Sequence, residues 1–109
     1  MAAKLKSVPA PQRQAIPQTR RATRFRSQTR AMVRSSHGDR SKALVCDVSV
    51  HGCCLQTDAA WLRLGQFVTL RLSSDWSIQA IVRWVRDERA GVEFLRPISD
   101  IDAREISGD

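Results

Sequence analysis

Apolar and polar residues alternate along much of the chain after residue 25, with the period of two that is typical of β-strands burying one face. The clearest case is Gln66 to Ser73, where Val68, Leu70 and Leu72 fall on one face and Thr69, Arg71 and Ser73 fall on the other. The segment Trp76 to Arg86 alternates in the same way. Both segments are therefore predicted to be strands with one side packed on a core.

Shorter apolar runs complete the pattern. They predict strands at Phe25 to Arg34, at Ala43 to Val48, at Cys53 to Thr57, and around Val92 and Phe94. Turn-forming residues separate the runs, and Asp87 to Gly91 is predicted as the loop of a hairpin. Six short strands with hairpin-sized gaps predict an all-β fold, a small six-stranded antiparallel β-barrel.

The alternation also assigns individual side chains to the core. In the segment Trp76 to Arg86, the residues Ile78, Ala80, Val82 and Trp84 share one parity, so all four are predicted to point inward. The core is expected to be mainly aliphatic, because aromatic residues make up only 6% of the chain.

The two ends of the chain differ from its middle. Residues 1–18 contain three of the four prolines and only scattered apolar side chains, which predicts a flexible arm. The barrel is assigned to residues 19–98. Residues 99–109 are predicted to form a short helix and tail, with Ser99 as the N-cap and Asp102 as the acid of a capping box.

Charge is distributed unevenly between the two parts of the chain. The net charge is +7, but residues 1–40 carry ten basic side chains and one acid, whereas residues 41–109 carry eight basic and ten acidic side chains. The excess of +9 in the first part, against −2 in the second, indicates an anionic partner such as a nucleotide, a nucleic acid or a membrane surface.

Length and composition exclude several classes of protein. A chain of 109 residues is too short for a dinucleotide-binding unit with a substrate domain, or for a large barrel enzyme. No stretch approaches the roughly 18 apolar residues of a membrane span, and no apolar region follows the first lysines as in a signal peptide. The three cysteines form no spaced framework, so a reducing cytoplasm is the expected location.

Catalytic and metal-binding patterns are weak. Asp47, Ser49 and His51 are too close along one strand end for the geometry of a catalytic triad, and no other enzyme motif is present. The chain is therefore not expected to be an enzyme or to hold a cofactor.

A cluster of possible zinc ligands lies in the same part of the chain. It consists of Cys46, His51, Cys53 and Cys54, but the two-residue spacing that lets paired thiolates reach one zinc ion is missing. No metal site is predicted, and Cys46 and one of the two adjacent cysteines are expected to be small core residues.

Two short motifs occur one after the other along the chain, on either side of the first predicted strand. Arg20 and Arg24 form R-x-x-x-R before the first strand, and Asp47, Ser49 and Gly52 form D-x-S-x-x-G between two strands. Either motif alone could be a solvated basic run or an ordinary turn. Together with the segment AIVRWVRDERAGVEF at residues 80–94, they resemble the PilZ family of bacterial cyclic di-GMP receptors over about residues 19–98.

The resemblance implies a six-stranded barrel with a nearby helix, no enzymatic activity, and a ligand at the rim of the barrel. It implies that cyclic di-GMP contacts Arg20, Arg24, Asp47, Ser49 and Gly52. The chemistry of these residue types is suitable, because arginine matches both phosphate and the O6/N7 edge of guanine. A carboxylate can accept from the N1–H and N2–H₂ donors on the opposite guanine edge.

Local geometry supports the same residues. If the segment is extended, Asp47, Ser49 and His51 lie on one side and the two intervening valines lie on the other. Gly52 lacks a Cβ, which lets the backbone turn sharply and approach a ligand. Arg21 and His51 are possible secondary contacts.

The expected mechanism is a relay without catalysis. Cyclic di-GMP would bridge Arg20 and Arg24, which lie where the arm joins the barrel, to the rim. It would thereby order the arm and alter contacts with an unidentified effector protein. The alternative is a small basic barrel that binds RNA or DNA through its arm, for which exposed aromatic residues on the strands would be diagnostic.

Overall fold

The computed structural model describes residues 23–108, so the predicted arm at residues 1–18 lies outside the described residues. The elements are β1 (Phe25–Ser35), β2 (Arg40–Val48), β3 (Gly52–Gln56), β4 (Phe67–Ser73), β5 (Trp76–Arg86), β6 (Arg89–Phe94) and the helix α1 (Asp100–Ser107). Within this part of the chain, no helix is both long enough and apolar enough to cross a membrane.

The six strands close into a barrel in the order β1-β2-β3-β6-β5-β4, and every neighbouring pair is antiparallel. This confirms the predicted fold class. Two of the pairings, β1 with β4 and β3 with β6, join strands that are not consecutive in the sequence. They bring residues that are distant in sequence onto one surface, which is how the candidate site described below is assembled.

The barrel interior is filled mainly by aliphatic side chains, and all six strands contribute to it. Val33, Val45, Leu55, Leu70 and Val82 are almost completely removed from solvent. Each such side chain contributes about 1.5–3 kcal/mol when it is fully buried. The alternation in β4 and β5 therefore predicted the inward-facing residues correctly as far as Val82.

The helix α1 begins and ends as capping rules require. The Ser99 side chain accepts a hydrogen bond of 3.0 Å from the backbone N–H of Asp102, which confirms Ser99 as the N-cap. Gly108 ends the helix in the left-handed region, at φ 87°. Ala103 and Ile106 point into the barrel core, so the helix is part of the same hydrophobic unit.

Polar contacts fix α1 against the first strand. The hydroxyls of Ser27 and Thr29 both donate to the backbone carbonyl of Ile106, the former over 2.9 Å. The Arg104 guanidinium lies over the Phe25 ring, 5.6 Å from its centre. The beginning of β1 is therefore held in place by the helix as well as by β2.

The prediction that Trp84 points into the core is wrong. Its side chain is exposed, although the parity of β5 predicted that it points inward. The register of β5 with β6 shifts between Val82 and Trp84, and such a bulge reverses the side to which the following residues point. The indole instead lies over the backbone of Gly91, where a Cβ would be 2.0 Å from its Nε1 atom.

The hairpin between β5 and β6 is also tighter than predicted. The loop was expected at Asp87 to Gly91, but Arg86 pairs directly with Arg89, and only Asp87 and Glu88 remain in the turn. Asp87 adopts a positive φ of 54°, a conformation that a two-residue hairpin turn requires and that Asp tolerates. As a result, Arg89 belongs to a strand.

Candidate functional site

The connection between β2 and β3 forms a tight turn built around Ser49. The backbone N–H of Ser49 donates to the carbonyl of Gly52 over 2.8 Å. The Ser49 hydroxyl accepts from the backbone N–H of His51 over 3.2 Å, and it is itself completely buried. This serine therefore satisfies backbone groups within the turn.

Gly52 is required by the neighbouring strand. A Cβ at this position would lie 2.2 Å from the carbonyl oxygen of Val92 and 3.1 Å from the Cα of Glu93, both in β6. These are backbone atoms, which cannot move aside as a flexible side chain can. The absence of a side chain at Gly52 thus allows β3 to pair closely with β6.

The expected alternation across Asp47, Ser49 and His51 is wrong at its middle position. Asp47 and His51 are half-buried, whereas Ser49 faces the interior together with Val48. The reason is that β2 ends at Val48, and the chain after it turns instead of continuing as an extended segment.

Asp47 of the D-x-S-x-x-G motif is paired with an arginine of the R-x-x-x-R motif. The Arg24 guanidinium donates to the Asp47 carboxylate, and the two residues are 23 positions apart in the sequence. Their side chains retain 42% and 36% of their exposure, so a ligand can reach both. The register of β1 with β2 pairs Arg26 with Asp47, and this places Arg24 immediately beyond the paired region.

A surface cleft of about 600 Å³ opens next to the Asp47 carboxylate. Three strands and the end of the helix contribute to its walls, which are lined by Arg26, Ser27, Gln28, Cys46, Asp47, Arg89 and Ser107. The volume is in the range of small-molecule sites. Its charged groups are two arginines and one carboxylate, with Arg24 at the edge, so the cleft offers guanidinium donors around a single acceptor.

The three cysteines divide between the interior and this cleft. Cys53 belongs to the core, but Cys46 is half-buried and lines the cleft, so the prediction that Cys46 is a core residue is wrong. The register of β2 with β3 shifts between Val45 and Asp47, which leaves Cys46 as the extra residue of an irregularity.

Two of the thiols are strongly affected by their surroundings. Burial, and after it the negative charge of Asp47, raises the pKa of both Cys53 and Cys54. Both therefore remain neutral thiols at physiological pH.

Three residues proposed from the sequence remain, namely Arg20, Arg21 and His51. Arg20 and Arg21 lie outside the described residues. The backbone of His51 connects the turn to β6, because its carbonyl accepts from the N–H of Phe94 over 2.8 Å. Among residues 23–108, neither imidazole makes a side-chain hydrogen bond, and no group of three metal-ligating side chains is close enough to hold an ion.

Sequence reasoning missed Arg89 as a cleft residue. It was placed in a loop, whereas the pairing of β3 with β6 sets Arg89 opposite Gln56 and near Cys54. Only the strand order reveals this position, since β3 and β6 are separated by two other strands in the sequence. Arg26 carried a weak signal, because it follows the R-x-x-x-R motif within the same basic run.

Comparison with protein families gives one result that covers almost the whole chain. The family model for the PilZ domain matches residues 18–108, a span that includes both motifs, all six strands and the helix. A search of curated protein sequences returned no significant match. PilZ domains are in general receptors for cyclic di-GMP and are typically not enzymes. The match extends well beyond half of the sequence and agrees with the closed barrel, so this chain belongs to the PilZ domain family.

Proposed function

We propose that this protein is a non-enzymatic receptor that binds cyclic di-GMP in the cleft beside Asp47. The observation that carries the proposal is the contact between Arg24 and Asp47, which joins the R-x-x-x-R motif to the D-x-S-x-x-G motif at the mouth of a cleft large enough for a nucleotide. Membership of a family whose members generally bind this ligand supports it.

Asp47 is the proposed reader of guanine. Its carboxylate is half-exposed and can accept from the N1–H and N2–H₂ groups of the base. The same group would repel a phosphate, so a base is the part of the ligand that it suits. In this role the carboxylate exchanges its present partner, the Arg24 guanidinium, for the edge of the base.

Arg24 is the proposed phosphate ligand, with Arg20 as its partner in the motif. A guanidinium released from Asp47 remains close to the cleft and can form two parallel hydrogen bonds to a phosphate. Arg26 and Arg89, which line the cleft, are proposed to supply further positive charge for the second phosphate or for a second ligand molecule. Arg21 and His51 are secondary candidates.

Ser49 and Gly52 have a supporting role in this proposal. The buried hydroxyl of Ser49 and the missing Cβ of Gly52 fix the turn that follows Asp47. This turn also fixes the end of β2, and the position of the Asp47 carboxylate depends on the end of that strand. Any ligand contact of this pair is then made through backbone groups of the turn.

Signal relay is proposed to follow from the exchange of partners. When the ligand separates Arg24 from Asp47, the chain that precedes β1 changes its attachment to the barrel, and the surface offered to an effector protein changes with it. No covalent step is needed. The proposed setting is the bacterial cytoplasm, where the ligand is made and the three free cysteines stay reduced.

Calorimetric titration of the purified chain with cyclic di-GMP tests the proposal, with GTP and a short RNA as controls at near-physiological salt. Saturable heat with cyclic di-GMP alone is expected, and the stoichiometry distinguishes one ligand from a stacked pair. No heat with cyclic di-GMP, alongside salt-sensitive binding of RNA, would overturn the proposal and favour a nucleic-acid contact.

A further inference from the structure

The outer surface of β1, β2 and β4 carries a second concentration of charge, apart from the cleft. Six cations on these strands are exposed, and one of them, Arg26, lines the cleft. We define the basic face as the other five: Arg30, Arg34, Arg40, Lys42 and Arg71. The three strands contain a single acid, Asp47, and that acid is paired with Arg24. None of the five cations takes part in the ion pairs found among residues 23–108.

The register of the strands concentrates like charges. Arg34 lies directly opposite Arg40, an arrangement that is unfavourable between neighbouring strands. Met32 is flanked by Lys42 on one side and by Arg71 on the other. A fold that only needed a solvated surface would gain stability by placing an acid at one of these positions, so the uncompensated charge indicates an anionic partner.

Three cations of the basic face lie beside an apolar depression. A groove of about 840 Å³ runs across the strands, and the half-buried side chains of Met32 and Leu44 form its floor, with Arg30, Lys42 and Arg71 along its sides. Leu72 also lines the groove, although its side chain packs against the barrel core. This groove and the cleft beside Asp47 have no lining residue in common. It is therefore a separate surface.

We infer that this groove is a docking surface for an acidic, leucine-bearing segment of a partner protein. Its carboxylates would face the cations of the basic face, and its apolar side chains would contact the floor at Met32 and Leu44. The proposal does not depend on cyclic di-GMP binding, since it uses a different set of residues.

Two observations favour a protein segment over a nucleic acid. No aromatic residue lines the groove, so bases would find no stacking platform. Asp58 and Glu88 line its end near β3 and β6, where they would repel a phosphate backbone that ran the full length of the groove. A protein segment can avoid that repulsion by placing a neutral or basic residue there.

The test uses a fluorescent peptide of repeated glutamate and leucine, an all-glutamate peptide of the same length, and a short single-stranded RNA. Binding is measured by fluorescence anisotropy for the wild type, for Arg30→Gln/Lys42→Gln, and for the matched control Arg63→Gln/Arg96→Gln. The control removes the same charge at two exposed positions away from the groove. Circular dichroism checks that all variants fold.

The wild type is expected to bind the glutamate–leucine peptide more tightly than the other two probes. The groove variant should weaken this binding by about tenfold, and the control should change it by less than about twofold. Met32→Gln should weaken binding of the glutamate–leucine peptide and leave binding of the all-glutamate peptide unchanged. Equal losses in both double variants, tighter binding of RNA, or no binding of the peptide by the wild type would each overturn the inference.

Discussion

The two halves of the D-x-S-x-x-G motif lie in contrasting surroundings. Asp47 is half-exposed at the mouth of a cleft and contacts Arg24, while Ser49 and Gly52 are buried, the first in the hydrogen bonds of the turn and the second against the backbone of β6. One short motif thus combines a side chain that a ligand can reach with two residues that build the turn behind it. The difference teaches that a shared motif does not give its members a shared role.

The contrast separates two quantities that are often lost together on mutation. Substitutions in the buried half should lower the free energy of unfolding, because they disturb the turn and the pairing of β3 with β6. Substitutions in the exposed half should lower affinity for cyclic di-GMP. They should change the free energy of unfolding little, because the ion pair of Arg24 with Asp47 is exposed and contributes only about 0.2–1 kcal/mol to folding.

The largest effect is expected for Gly52→Ala. The new methyl group would overlap the Val92 carbonyl, and this overlap can be removed only if β3 and β6 move apart. The free energy of unfolding should therefore fall by about 3 kcal/mol or more. Urea unfolding followed by circular dichroism measures it. Gly38→Ala is the matched control, because a Cβ there meets nothing and only its φ of 98° is unfavourable, at a cost of about 1 kcal/mol. Equal losses in the two variants would contradict the proposed packing role of Gly52.

Asp47→Ala and Arg24→Ala should act on binding. Each is expected to weaken cyclic di-GMP binding by about 100-fold, since a charged hydrogen-bonding partner of the ligand is removed from the site. The free energy of unfolding should fall by less than about 1 kcal/mol in either variant. Calorimetric titration and urea unfolding of the same samples give both quantities. Unchanged affinity in both variants would remove Asp47 and Arg24 from the site.

Ser49→Ala is expected to show an intermediate result. Losing the buried hydroxyl leaves the N–H of His51 without its acceptor, which should lower the free energy of unfolding by about 1–2 kcal/mol. Affinity measured well below the unfolding transition should fall less than for Asp47→Ala. A loss of affinity equal to that of Asp47→Ala, with unchanged stability, would show that Ser49 belongs with the exposed half of the motif.

The smallest effect should appear in the reactivity of the cysteines. Because burial raises the pKa of Cys53 and Cys54, both stay protonated at mildly alkaline pH and react slowly with a thiol reagent in the native protein. Cys46, which is half-buried at the cleft, should react first, and cyclic di-GMP should slow its labelling by a few fold. Mass spectrometry of the labelled peptides identifies the site. Unchanged labelling of Cys46 at saturating ligand would place the ligand elsewhere.

The fold was predictable from local patterns where those patterns are regular. The alternation in β4 and in β5 up to Val82 assigned the core, and Ser99 marked the start of the helix through ordinary capping chemistry. The pattern failed at Trp84 because a bulge reverses parity without leaving a signal in the order of apolar residues. Irregular registers depend on the partner strand, which a single strand's sequence does not contain.

The candidate site was predictable only in part. Asp47 and Arg24 were identified through their motifs, and the structure brings them into contact. The burial of Ser49 was not predictable from parity, because the end of β2 is set by the turn and not by the alternation of side chains. Arg89 was missed, because its place in the cleft depends on the pairing of β3 with β6, across two intervening strands.

The most direct test of the central claim is an NMR titration of the isotope-labelled protein with cyclic di-GMP, following the backbone amide signals. The account predicts the largest shifts around Arg24 and Arg26, along Cys46 to Gly52, and at Arg89, with little change at Lys42 and Arg71 in the separate groove. Shifts centred on Lys42 and Arg71, with the signals of Asp47 and its turn unchanged, would contradict it.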